Sequence, residues 1–103
     1  MTANPHRGEA AIRVAGTMLV IRPSFAALVA AEAELGPLFA LVERAAAGGL
    51  ALAEMVALFW HCLAKPPEAL TRAQFGEAVV AGGLTQATPV LRILLQQILA
   101  GRE

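Results

Sequence analysis

The chain contains no aspartate and no tyrosine, and it has one serine, one cysteine and two histidines among 103 residues. Each scarcity removes a class of chemistry. Carboxylate metal sites and phosphoryl-transfer sites usually draw on Asp, and here all eight acids are Glu. The lone Cys62 has no second thiol to pair with, which excludes an internal disulfide and fits a reducing cytoplasm. Nothing beside it in sequence lowers its pKa toward that of a nucleophile. Ser24 has no nearby His or Asp to activate it, and a helix cap accounts for it. His6 stands in a polar N-terminal stretch, whereas His61 and Cys62 are neighbours on a helix. Adjacent helical positions diverge by about 100°, so these two cannot comfortably hold one metal. Neither C-x-x-C nor H-E-x-x-H occurs, and the Gly pairs follow helices rather than strands, unlike a phosphate-cradling loop. The expectation is a non-enzymatic chain with no catalytic residue, cofactor, metal or small-molecule substrate.

Charge of either sign is thin. Eight basic and eight acidic residues are scattered singly, and the net charge is zero. No basic stripe is available for phosphates, so no nucleic-acid partner is expected. Long apolar runs are missing too, despite 57% hydrophobic residues and a mean hydropathy of +0.62. A membrane span needs roughly 20 apolar residues in a row. Met55 to Ala64 is shut in by Glu54 and Lys65, and Ala78 to Leu91 is broken by Gly82-Gly83 and Pro89. Met1 to Glu9 carries an arginine without the apolar core of a secretory signal.

What is present is alanine and helical periodicity. After a flexible tail over 1–8, Ile12 and Val14 share one face while Arg13 points the other way, the period-2 signature of a half-buried strand. Met18 to Ile21 is a continuous apolar run, as in a strand covered on both sides, and Ala15-Gly16 between them predicts a hairpin over 9–22. Pro23 ends that strand and Ser24 caps a helix from Phe25 to Leu35. Gly36-Pro37 stops it and starts a second helix, with Leu38, Leu41, Val42 and Ala45 as its seam and Gly48-Gly49 after it. A third helix runs from about Leu52 to Leu63, its stripe made of Leu52, Met55, Val56, Phe59, Trp60 and Leu63. That places His61 on the outer face. Lys65-Pro-Pro67 breaks it, Thr71 with Gln74 forms a capping box for a fourth helix through Ala81, and Thr88-Pro89 caps a last one to about Ala100. Ala47-Gly-Gly-Leu50 recurs as Ala81-Gly-Gly-Leu84, an echo that reads as two helical hairpins using the same Gly cap rather than a solenoid repeat. The fold expected is therefore α+β and mostly α: one domain over 9–103, a hairpin followed by four or five short helices over 24–101.

Two features point to surfaces. Glu32 falls on the same side of the first helix as Phe25, Leu28 and Val29, and a carboxylate on a core-facing stripe needs a partner. Either Arg22 braces it from the end of the strand, or it contacts another protein. The last helix carries Val90, Leu91, Leu94, Leu95, Ile98 and Leu99 over about half its circumference, where a stripe of little more than about 100° suffices for packing. The surplus is either covered by the hairpin or left as a docking face built from Val90, Leu91, Leu94, Leu95 and Ile98.

Arg7-Gly-Glu9 ahead of the hairpin, then Leu19-Val-Ile-Arg-Pro-Ser-Phe-Ala-Ala-Leu28 with Glu32 and Gly36 following, resembles the small tail proteins of gene transfer agents, which are phage-like particles carrying host DNA. Leu70 to Val79 followed by Gly82-Gly83-Leu84 is similar to that family's second half, so the likeness covers about 7–100. Its distinctive block is Arg22, Pro23, Ser24 and Phe25 with Glu32 behind. The Ala- and Gly-rich middle and Phe59-Trp60 depart from the pattern. The resemblance implies a role in building a phage-like tail, either as a tail assembly chaperone binding the tape-measure protein or as a structural part such as a tube or connector subunit. Tube walls are built from sheet, whereas about 15 residues here read as strand, which favours the chaperone. A homo-oligomer stays possible, and assembly places the protein in the cytoplasm, or in the particle under the structural alternative. A regulatory helical module would show a basic helix face, and none is apparent.

Overall fold

The computed structural model describes residues 10–14 and 16–100; His6 and the Arg7-Gly-Glu9 block fall outside them. Strands β1 (Ala10–Val14) and β2 (Thr17–Ile21) form the expected antiparallel hairpin, in register from Val14↔Thr17 to Ala10↔Ile21. Ala10, Ile12 and Val14 are buried and Arg13 is exposed, as the alternation requires. Five helices follow: α1 (Phe25–Leu35), α2 (Leu38–Ala46), α3 (Leu52–Cys62), α4 (Arg72–Ala81) and α5 (Leu84–Ala100). A short strand β3 (Leu63–Ala64) lies between α3 and α4, so the fold is α+β and mostly α.

The helix boundaries follow from local hydrogen bonding. Ser24 Oγ accepts from Ala27 N–H, and Gly36, at φ 90°, donates its N–H to Glu32 O to close α1. Thr71 and Gln74 satisfy each other reciprocally, Gln74 N–H to Thr71 Oγ1 at 3.1 Å and Thr71 N–H to Gln74 Oε1 at 3.0 Å. At the start of α3 only half of that device is possible. Glu54 Oε1 accepts from Ala51 N–H at 3.0 Å, but alanine has no oxygen to return the bond.

α3 occupies the centre. Met55, Val56, Ala57, Leu58, Phe59 and Cys62 are all buried, so the helix is covered on more than its predicted stripe, while Leu52 is half exposed. Phe59 and Phe75 have no exposed surface, and the Trp60 ring lies 6.0 Å from that of Phe75 in a tilted pair.

Three expectations are corrected. The third helix stops one residue early, because Leu63 turns extended and Leu63–Ala64 pairs with β2 through Ile21↔Leu63 and Val20↔Ala64. Arg22 N–H extends that ladder to Cys62 O at 2.7 Å. The last helix begins at Leu84, not after Thr88-Pro89. Gly83 at φ 90° makes the break, and Pro89 is accommodated inside the helix. Thr88 Oγ1 donates to Leu84 O at 2.8 Å instead of capping, and burial of Ala87 together with Val90 and Leu94 fixes this first turn onto the core. Lastly, α1 presents Ala27, Ala31 and Leu35 inward, with Ala31 fully buried, and turns Phe25 and Val29 outward.

Candidate docking surface

On α5, Val90 and Leu94 are core residues, the latter with 0% exposure, and Leu91, Leu95 and Ile98 are half-buried against the same cluster. Their own domain covers much of the proposed docking face, as the hairpin-covered alternative anticipated, since α5 packs across β1. The apolar residues that α5 leaves to solvent are Leu84, Ile93 and Leu99, the last 61% exposed.

A more open apolar surface lies on α1 and α2. Phe25 is 85% exposed and Phe39 is 81% exposed, extreme values for phenylalanine in a protein with a filled core. Each sits in the first turn of its helix, where the neighbouring turn that would shelter a side chain is missing. Val29 continues the Phe25 side of α1 by one turn. A crevice of about 100 Å³ between α1, α2 and the end of α5 is lined by Leu28, Leu38, Phe39, Val42, Ile98 and Leu99. Phe39 and Leu99 thus stand as exposed walls of an apolar notch.

The Arg22-Pro23-Ser24-Phe25 block with Glu32 organises this surface. Ser24 fixes the start of α1 and thereby the outward aim of Phe25. Glu32 is exposed, and its Oε2 accepts from Leu38 N–H at 2.9 Å. The carboxylate caps α2, at whose N-terminus Pro37 offers no side-chain acceptor. It therefore sets the angle at which α2, and Phe39 with it, leaves α1.

The densest polar cluster joins three helices. Arg72 of α4 reaches both carboxylate oxygens of Glu34 on α1 through Nη1, at 2.9 and 2.7 Å, and His61 Nε2 of α3 lies 2.7 Å from Glu34 Oε1. Bonding to Arg72, and then to His61, holds the Glu34 carboxyl below the usual carboxylate range. His61 is consequently not on a free outer face; its side chain is 18% exposed. The cluster escaped sequence reading because its members lie far apart in sequence and share no local periodicity. A second bidentate pair ties α2 to α3: Arg44 grips Glu54 at 2.8 Å, and that bond, with the Ala51 N–H, depresses the Glu54 carboxyl to about 2.

The acid of this cluster is engaged by both Arg72 and His61. Cys62 is buried, and burial pushes its thiol up to about 12, so it stays a neutral thiol near pH 7. Among the described residues no group of three or more metal-ligating side chains converges, and no single helix is long and apolar enough to cross a membrane. What this surface offers chemically is apolar area aimed by polar caps.

The profile of the family described as phage tail tube protein, GTA-gp10, matches residues 7–101. No curated protein and no solved structure gives a match.

Proposed function

The chain belongs to the phage tail tube protein, GTA-gp10, family, and we propose that within such a tail system it is an assembly chaperone that shelters a helical segment of the tape-measure protein. The observation that carries this reading is the exposure of two phenylalanines, Phe25 at 85% and Phe39 at 81%, the second of them a wall of an apolar notch. A tape-measure protein is a long helical chain whose apolar side needs cover until a tube encloses it. An amphipathic helix recognises such a notch by laying successive apolar side chains into it. Burying one exposed phenylalanine is worth about 1.5–3 kcal/mol, so Phe25 and Phe39 are natural anchors. The shape of the fold supports the same choice. Its strands hold five, five and two residues, and 64% of the described residues are helical. A tube wall requires sheet closed around a lumen.

The family's own description favours a second reading, a structural subunit of the tail tube. The two separate cleanly. Mass spectrometry of purified particles finds a tube subunit in many copies and a chaperone in none. For the chaperone, the double variant Phe25→Ser, Phe39→Ser loses co-purification with the tape-measure protein while its melting temperature stays within a few degrees of wild type. Undiminished co-purification by that folded variant rejects the docking surface, and abundant protein in finished particles rejects the chaperone.

A further inference from the structure

We propose that the free edge of strand β1 is an interface between two copies of this chain, joined antiparallel about Ile12. The hairpin register defines that edge. Arg22 N–H bonds Cys62 O, so the even-numbered positions of β2 turn their backbone groups toward β3 and the odd-numbered ones toward β1. Ile21, Leu19 and Thr17 therefore bond Ala10, Ile12 and Val14. Ala11 and Arg13 are left with N–H and C=O groups directed away from the sheet, and in the strand order β1-β2-β3 no described strand covers them.

Beside this edge runs an open groove of about 720 Å³, with Arg13 on one wall and Ala73, Gln74, Glu77 and Ala81 of α4 on the other. The ionic pairs described above engage Arg44, Glu54, Glu34 and Arg72, whereas the side chains of Arg13 and Glu77 have neither an ion pair nor a hydrogen bond among the described residues. One unpaired cation and one unpaired carboxylate on facing walls make the strip complementary to itself. A second copy turned by a two-fold axis carries its Arg13 toward the first copy's Glu77, and the reverse contact follows by symmetry. With Ile12 on the axis, Ala11 stands opposite Arg13 of the second copy, and each such pair exchanges both N–H···O bonds. Centring on Arg13 would set two guanidiniums face to face, which like-charge repulsion opposes. Ala73 and Ala81 are small enough for the two α4 helices to close over the joint.

The surface is separate from the phenylalanine notch on α1 and α2, so either assignment can fail alone. Sedimentation velocity over a concentration series tests this one. Wild type is expected to sediment as a species of twice 10.7 kDa. Ala11→Pro deletes an outward N–H without touching a bond to β2, and it is expected to weaken the dimer about tenfold or more with unchanged circular dichroism. Arg13→Glu and Glu77→Arg each weaken it, and the double exchange R13E/E77R restores it, a rescue that misfolding cannot mimic. Wild type that stays monomeric at every concentration overturns the proposal and leaves the edge to an extended segment of another protein. Ala11→Pro and charge-reversed forms that dimerise as tightly as wild type overturn it as well.

Discussion

Truncating Leu94 to alanine removes a side chain with no exposed surface from the contact between α5 and the hairpin. The cavity and the lost transfer energy together are expected to lower stability by about 2–5 kcal/mol, measured by urea denaturation. A glutamate there would unfold the domain before it reported on any partner. Phe25→Ser, by contrast, touches solvent-facing surface. The same helical periodicity produces both residues, and the wheel cannot say which side of an alanine-rich helix turns inward. On α1, Ala27 and Ala31 win the core side because small side chains let α1 approach α3 closely, and the larger Phe25 and Val29 are displaced outward. Glu32, a carboxylate in need of a partner, finds one in the Leu38 N–H that Pro37 leaves uncapped.

Helices announced themselves where a side chain closes the first turn. Ser24 fixed α1 and the Thr71–Gln74 box fixed α4, because both signals act within three residues. Thr88-Pro89 imitates such a start, yet burial of Ala87 keeps the preceding turn helical, and packing outweighs the preference of the residue before proline. β3, two residues long, carries no periodicity to read. The α2–α3 corner makes its own prediction. Folding lowers the Glu54 pKa from its ordinary 4.5 to about 2, so the contribution of the Arg44–Glu54 pair is fully present above pH 4.5 and disappears as pH falls toward 2. Glu34, lowered by Arg72 and His61, loses its contribution in the same direction. Glu54→Gln should therefore be less stable than wild type at pH 6, and the gap should narrow steadily as thermal melts are repeated below pH 4.5. A gap independent of pH would show that the carboxylate charge contributes nothing.

Taken whole, the molecule was legible in class and order, a hairpin then helices, because those follow from composition and short-range signals. Which apolar residues stay exposed was not, since exposure at Phe25, Phe39 and Leu94 is decided by which helices meet. The stitch between Arg22 N–H and Cys62 O, continued by Ile21↔Leu63, has a kinetic meaning. β1 and β2 zip locally, but the far side of β2 closes only after α1, α2 and α3 have been threaded and seated, a closure that carries the entropy of a long loop. Pulse-labelling during refolding should find the Arg22 amide protected together with Leu58 and Phe59 of α3, later than the amides of Ile12 and Leu19; simultaneous protection of all of them would contradict this order. In the finished domain the same stitch clamps the hairpin to the end of the central helix, so a tug on the N-terminal sheet is felt directly by the innermost residues.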